Sequence, residues 1–186
     1  MIHKIFKNIF LVSSFFLYLT TYSISEINSR AWSILCGEDK KSCLSAIISE
    51  IKNKEKMQII ATAYIQMATT TQKKMNLINE EDQTYKLSED NKTVPLLFVK
   101  LPLNVDLRKK PSIVIDDKKL GDLNFTHCNK IDGCVTNVII TDEVIELFKK
   151  GKTMNVVIGI YGTPKNMKLA FPLKNFTKSY TKMTKK

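Results

Sequence analysis

Residues 123–140 read LNFTHCNKIDGCVTNVII. Two short segments with strand character, Leu123 to Cys128 and Cys134 to Ile140, flank the loop Asn129-Lys130-Ile131-Asp132-Gly133. Asn, Asp and Gly are turn residues, so the stretch predicts a β-hairpin with one cysteine on each strand at its neck. An earlier stretch has the same plan. Ala31 to Cys36 alternates Trp32, Ile34 and Cys36 on one face, which makes Trp32 a core residue. Gly37 to Ser42 is a polar turn, and Cys43 to Ile51 is the returning strand. Cross-strand neighbours have Cβ atoms about 4.5–5.5 Å apart, near the span of a disulfide. Four cysteines allow three pairings. The two hairpin necks favour Cys36–Cys43 and Cys128–Cys134, each worth about 2–3 kcal/mol through the chain entropy it removes.

Outward from these hairpins, the period-two pattern recurs. Lys56 to Gln66 alternates Met57, Ile59, Ala61, Ala63 and Ile65 with mostly polar residues. Val99, Leu101, Leu103, Val105 and Leu107 do the same and predict one strand through Leu107. Pro102 inside it cannot donate a ladder hydrogen bond and marks an edge or a bulge. Between these two segments, Ala68 to Thr93 is polar and patternless. So long a stretch without structure is uncommon in a compact domain; it is a surface loop, or it hides a strand near Met75 to Ile78 or Tyr85 to Leu87. Ser112 to Ile115, Thr153 to Tyr161 and Met167 to Leu173 read as further strands, with turns at Asp116-Asp117 and Gly162-Thr163-Pro164.

Thr141 begins a helix over about 142–150, with Asp142 and Glu143 in the first turn, Lys149 and Lys150 in the last, and Gly151 as a left-handed exit. Phe176 to Met183 is a second short helix. Many short strands with so little helix predict a mainly β fold, a sandwich or a partly open barrel.

The chain starts with an export signature. Lys4 and Lys7 precede the apolar run Ile9 to Thr20, and Ser23-Ile24-Ser25 places small residues where a signal peptidase reads. The run is shorter than the roughly 20 residues of a spanning helix. Residues 1–25 are therefore read as a cleaved signal peptide and residues 26–186 as one domain, with no transmembrane span after cleavage. The exported part carries 27 basic and 18 acidic residues, a formal charge of +9. Arg30 and Arg108 are its arginines, so bidentate phosphate recognition is poorly served and no nucleic acid is expected as partner. Lys174, Lys178, Lys182, Lys185 and Lys186 concentrate charge at the C-terminus, a candidate surface for an anionic partner.

No catalytic residue, cofactor site or metal site is predicted. His127, Cys128 and Cys134 give three of the four ligands of a closed zinc site, and only if both thiols are reduced, against the expected compartment. His127 is the one histidine of the exported part, and no Gly-x-Ser-x-Gly elbow is present. Neither cysteine pair has the Cys-x-x-Cys spacing of redox enzymes.

Several segments together resemble the invasion-associated locus B family of exported proteobacterial proteins. These are Leu101-Pro102-Leu103-Asn104-Val105-x-Leu107, then Ile113-Val114-Ile115-Asp116, Leu123-x-Phe125-x-x-Cys128 with Gly133-Cys134, a helix ending at Gly151, and Phe171-Pro172-Leu173-x-x-Phe176. Trp32-x-x-x-Cys36 with Cys43 also fits. The resemblance covers roughly residues 31–183. It departs at Asn104, where the family often has glycine, and in the length of Ala68 to Thr93. It implies an immunoglobulin-like β-sandwich in the periplasm, at the outer membrane or on the cell surface, non-enzymatic and acting by binding. The expected partner is another envelope protein, met at a sheet edge near Pro102 or through the basic tail, or an anionic surface. Two alternatives are an envelope thiol–disulfide oxidoreductase using Cys128 and Cys134, and a polyanion-binding protein.

Overall fold

A computed structural model of the chain describes residues 29–38, 42–53, 56–79 and 84–185. The expected signal peptide with its cleavage point, and Lys186, lie outside them. The elements are β1 (Ser33–Cys36), β2 (Cys43–Asn53), β3 (Lys56–Asn79), β4 (Thr84–Leu101), β5 (Ser112–Ile115), β6 (Lys118–Asp122), β7 (Phe125–Asn129), β8 (Gly133–Ile139), α1 (Asp142–Lys150), β9 (Thr153–Gly159), β10 (Asn166–Pro172) and α2 (Phe176–Thr184). Two antiparallel sheets form a sandwich. One has the order β1-β2-β3-β4-β8-β7, the other β10-β9-β5-β6.

Alternation builds the core. Ala63 on β3 faces Val99 on β4, and Ile65 faces Leu97, with all four buried. From the second sheet, Ile113, Ile115, Met154, Val156, Ile158, Leu169 and Phe171 point into the same interior. A four-stranded sheet cannot cover a six-stranded one, and the two helices fill the remainder. Phe148 of α1 and Phe176 of α2 are fully buried, with ring centroids 5.1 Å apart. Trp32 meets Phe176 edge to face at 5.2 Å and is core, as expected. Its Nε1, like Thr136 Oγ1, is buried without a hydrogen-bond partner among the described residues. The outer side of the large sheet has its own small cluster of Leu35, Ala46 and Ile48, with Leu44 and Tyr64 against it.

Three expectations need correction. The strand expected through Leu107 stops at Leu101, because Pro102 has no N–H with which to continue the ladder. Val105 instead makes a single bridge to Ile160, and Leu103 and Leu107 are exposed. Gly151 is not left-handed: its φ is −72° and ψ 161°. Glycine is needed there because a Cβ would press on Ile115 Cγ2 at 2.7 Å and the Leu147 carbonyl oxygen at 2.9 Å. The described residues of the polar stretch from Ala68 to Thr93 are not a loop, and Met75 to Ile78 and Tyr85 to Leu87 both lie in strands. Residues 68–79 and 84–93 are the paired ends of β3 and β4, from Ala68↔Val94 to Asn79↔Thr84. One strand had no signal in the sequence: β6 follows the Asp116-Asp117 turn and pairs with β5, and Lys118-Lys119-Leu120-Gly121-Asp122 shows no alternation.

A buried polar link holds α2 down. Ser179 Oγ lies 2.5 Å from Ser45 Oγ on β2 and donates to the Phe176 carbonyl at 3.1 Å. Removing the Ser179 hydroxyl takes this partner from Ser45 in a dry site. Ser179→Ala is expected to cost about 1–3 kcal/mol, and the Ser45→Ala/Ser179→Ala double variant less than the sum of the single changes. Equilibrium urea unfolding of the four forms measures both quantities.

Candidate interaction surface

Where β4 ends at Pro102, the chain crosses the end of the sandwich and leaves a groove of about 580 Å³. Its lining is Leu103 to Arg108, Tyr161 and the Cys128–Cys134 disulfide. Backbone bonds fix the crossing segment: Tyr161 N–H donates to the Asn104 carbonyl at 2.9 Å, and Asp106 N–H to the Gly159 carbonyl at 2.8 Å. Three large apolar side chains are left to solvent on this segment and its neighbour, Leu103 at 54%, Leu107 at 58% and Tyr161 at 72% exposure.

Beneath them, Asp106 is buried. Its carboxylate accepts from Arg108 Nε at 2.8 Å, Arg108 Nη2 at 2.9 Å and the Arg108 backbone N–H at 3.2 Å. These bonds, the side-chain ones first, hold its pKa down at about 2. The fork makes the turn a rigid support for Leu103 and Leu107.

The disulfide loop beside the groove is also over-determined. Asn129 Oδ1 accepts from the N–H groups of Ile131 at 2.9 Å and Asp132 at 2.7 Å, an Asx turn. Asp132 accepts from Lys100 Nζ at 2.8 Å and from Asn129 Nδ2 at 3.1 Å, and these partners lower its pKa. Gly133 has φ +75°, and a Cβ there would collide with the Leu101 carbonyl oxygen. The loop tip is Ile131, 95% exposed.

The residues singled out from sequence fall into three places. Cys36 is joined to Cys43 across β1 and β2, and Cys128 to Cys134 across β7 and β8. Neither bond lies at a helix N-terminus, where a dipole would lower a thiol pKa. His127 is half exposed, its Nε2 3.8 Å from Asp132. Among the described residues, no three His, Cys, Asp or Glu side chains converge on a metal position. Lys174, Lys178, Lys182 and Lys185 are exposed. The last three fall at i, i+4 and i+7, one stripe on α2 opposite its buried Phe176, Ser179 and Met183. Pro102 does not lie on a sheet edge, because β4 is flanked by β3 and β8; the nearest edge strand is β7. The groove itself was hidden in the sequence, since Leu103 and Leu107 continue the core alternation of β4. Pro102 was the one signal that the strand had ended.

The Asp106 fork sets an acid limit. A depressed carboxylate pKa adds stability that is complete above the ordinary value near 3.8 and is lost as pH falls through about 2. Asp106→Asn is therefore expected to melt below the parent at pH 5, with the gap closing between about pH 4 and pH 2, as followed by thermal unfolding.

Comparison with known proteins adds the lineage. A search of curated proteins finds no match. Among solved structures, the crystal structure of invasion associated protein B from Bartonella henselae superposes with a TM-score of 0.58 at 15% identity, covering 82% of this chain and 90% of that one. The fold is therefore shared at low sequence identity. The model of the Invasion associated locus B protein family matches residues 32–184. The chain belongs to the invasion associated locus B family.

Proposed function

We propose that this chain is a non-enzymatic envelope protein, exported by a cleaved signal over residues 1–25, that acts by binding another envelope protein. The observation that carries this reading is the groove with its three exposed apolar side chains, held between two rigid supports. Scattered apolar residues are ordinary on a surface, but Leu103, Leu107 and Tyr161 line one groove. Pre-formed supports lower the ordering cost of binding, which favours recognition over structure as the reason for the Asp106–Arg108 fork and the Asn129 turn. Two disulfides support an oxidising compartment, and no helix among the described residues is long and apolar enough to cross a membrane. The periplasm suits these features, with the outer membrane or cell surface as further stations.

A second reading has its own observation. The lysine stripe of α2 presents no carboxylate between its cations, as an anionic surface would require. Lysine without arginine fits diffuse attraction, the polyanion-binding case. The thiol–disulfide oxidoreductase reading is weakened by the placement of Cys128 and Cys134 on strands.

Pull-down from the native envelope fraction separates these readings. The parent and a Lys178→Glu/Lys182→Glu variant are expected to retain the same protein, and a Leu103→Lys/Tyr161→Lys variant to lose it by tenfold or more, about 1.4 kcal/mol. Loss with the helix variant and retention with the groove variant would move the site to α2. Disulfide turnover by the parent would restore the enzymatic reading.

A further inference from the structure

The longest elements of the molecule leave its body. β2 pairs with β3 no further than Gln66, and β8 pairs with β4 only from Leu96 onward. From Met67↔Pro95 to Asn79↔Thr84, the two strands pair with one another alone among the described residues. Thirteen residues on β3 make this ribbon about 40 Å long. A two-stranded ribbon is marginal in water by itself, and its two open edges are templates for another strand. Other edges are shorter: β1, β6 and β7 have four or five residues and β10 seven, and β6 and β7 pair through register shifts.

We propose that this ribbon is a dimerisation arm, which pairs β4 to β4 with a second copy of the chain about a two-fold axis. Charge selects both the occupant and the seam. The exported part carries 27 basic and 18 acidic residues, a formal +9 that opposes self-association of its body. Residues 67–95 hold four lysines against five acidic residues, so the arm is the part that two copies can bring together. Within the ribbon, Lys73 stands opposite Glu89, but Lys86 stands opposite Asn76 and Asp90 opposite Gln72, both neutral. Antiparallel pairing of two β4 strands centred on Ser88 sets Lys86 opposite Asp90 of the second copy, twice over. Opposite charges in directly facing positions stabilise a strand pair. The same pairing keeps faces matched. The register pairs Met75↔Leu87 and Leu77↔Tyr85 occupy one face of each ribbon, and an axis perpendicular to the sheet places both quartets on the same side of the resulting four strands. The four strands so formed exceed the three that independent stability needs and that two strands alone do not reach.

The test uses protein purified in its oxidised form from the periplasm of an expressing host, with mass followed by sedimentation across a concentration series. The parent is expected at twice the protomer mass. Lys86→Glu should raise the dissociation midpoint by tenfold or more, and the Lys86→Glu/Asp90→Lys swap should bring it back to within about threefold of the parent. Replacing residues 72–90 with Asn-Gly joins the register partners Thr71 and Asn91 through a hairpin turn. That form should be monomeric and still unfold cooperatively. A parent that is monomeric throughout, a dimer that survives loss of the arm, or a swap that fails to restore the dimer would each overturn the proposal.

Discussion

The inner face of the six-stranded sheet is wider than the four strands laid against it. Everything else in the molecule answers that mismatch. Apolar area left open to water would cost about 25 cal/mol per Å², and the facing strands, β10 against β2 among them, leave part of β1, β2 and β3 for another element to bury. Helix α2 supplies the cover, touching all three strands. Phe176 is the centre of that contact, with Trp32, Phe148 and Tyr180 around it at 5.1–5.6 Å. Ser179 then bonds to Ser45 where a purely apolar contact would allow the helix to slide. The two short helices are thus parts of the core, and the sandwich is incomplete without them.

Legibility of this fold in the sequence followed burial. Where one face of a strand meets the core, as in Ala61-Ala63-Ile65 or Ile113-Ile115, alternation is strong and the strand is visible. Helix α1 announced itself through Asp142, Glu143, Lys149 and Lys150 at the ends its dipole prefers. The far ribbon did not, because a strand pair outside the core has no reason to alternate; its register lies in backbone pairing that composition does not record. Leu103 and Leu107 misled for the opposite reason. They keep the period of β4 after Pro102 has ended it, so residues that read as core became the walls of a groove. Gly151 was recognisable as necessary, but its necessity comes from Ile115 and Leu147 pressing close, a contact no local pattern contains.

Both disulfides sit where two strands already face each other in register, and they hold what the sheet has arranged. Around Cys128–Cys134 the reinforcement goes further than a hairpin needs. Asn129, Lys100 and Gly133 each remove freedom from a loop whose most exposed residue is an isoleucine. Together with the Asp106–Arg108 fork, this makes one end of the sandwich the place where fixed geometry and exposed apolar surface coincide. The lysine stripe of α2 belongs to another face and another kind of attraction, one that acts at longer range and weakens with salt.

The position of Phe176 in the chain has a consequence for biogenesis. A polypeptide is made from its N-terminus. Trp32 emerges well before Phe176, whose ring packs against it. Until α2 arrives, the large sheet has an open inner face and cannot settle cooperatively. The fold therefore carries its own delay, closing only when α2 is free to dock on strands made long before it.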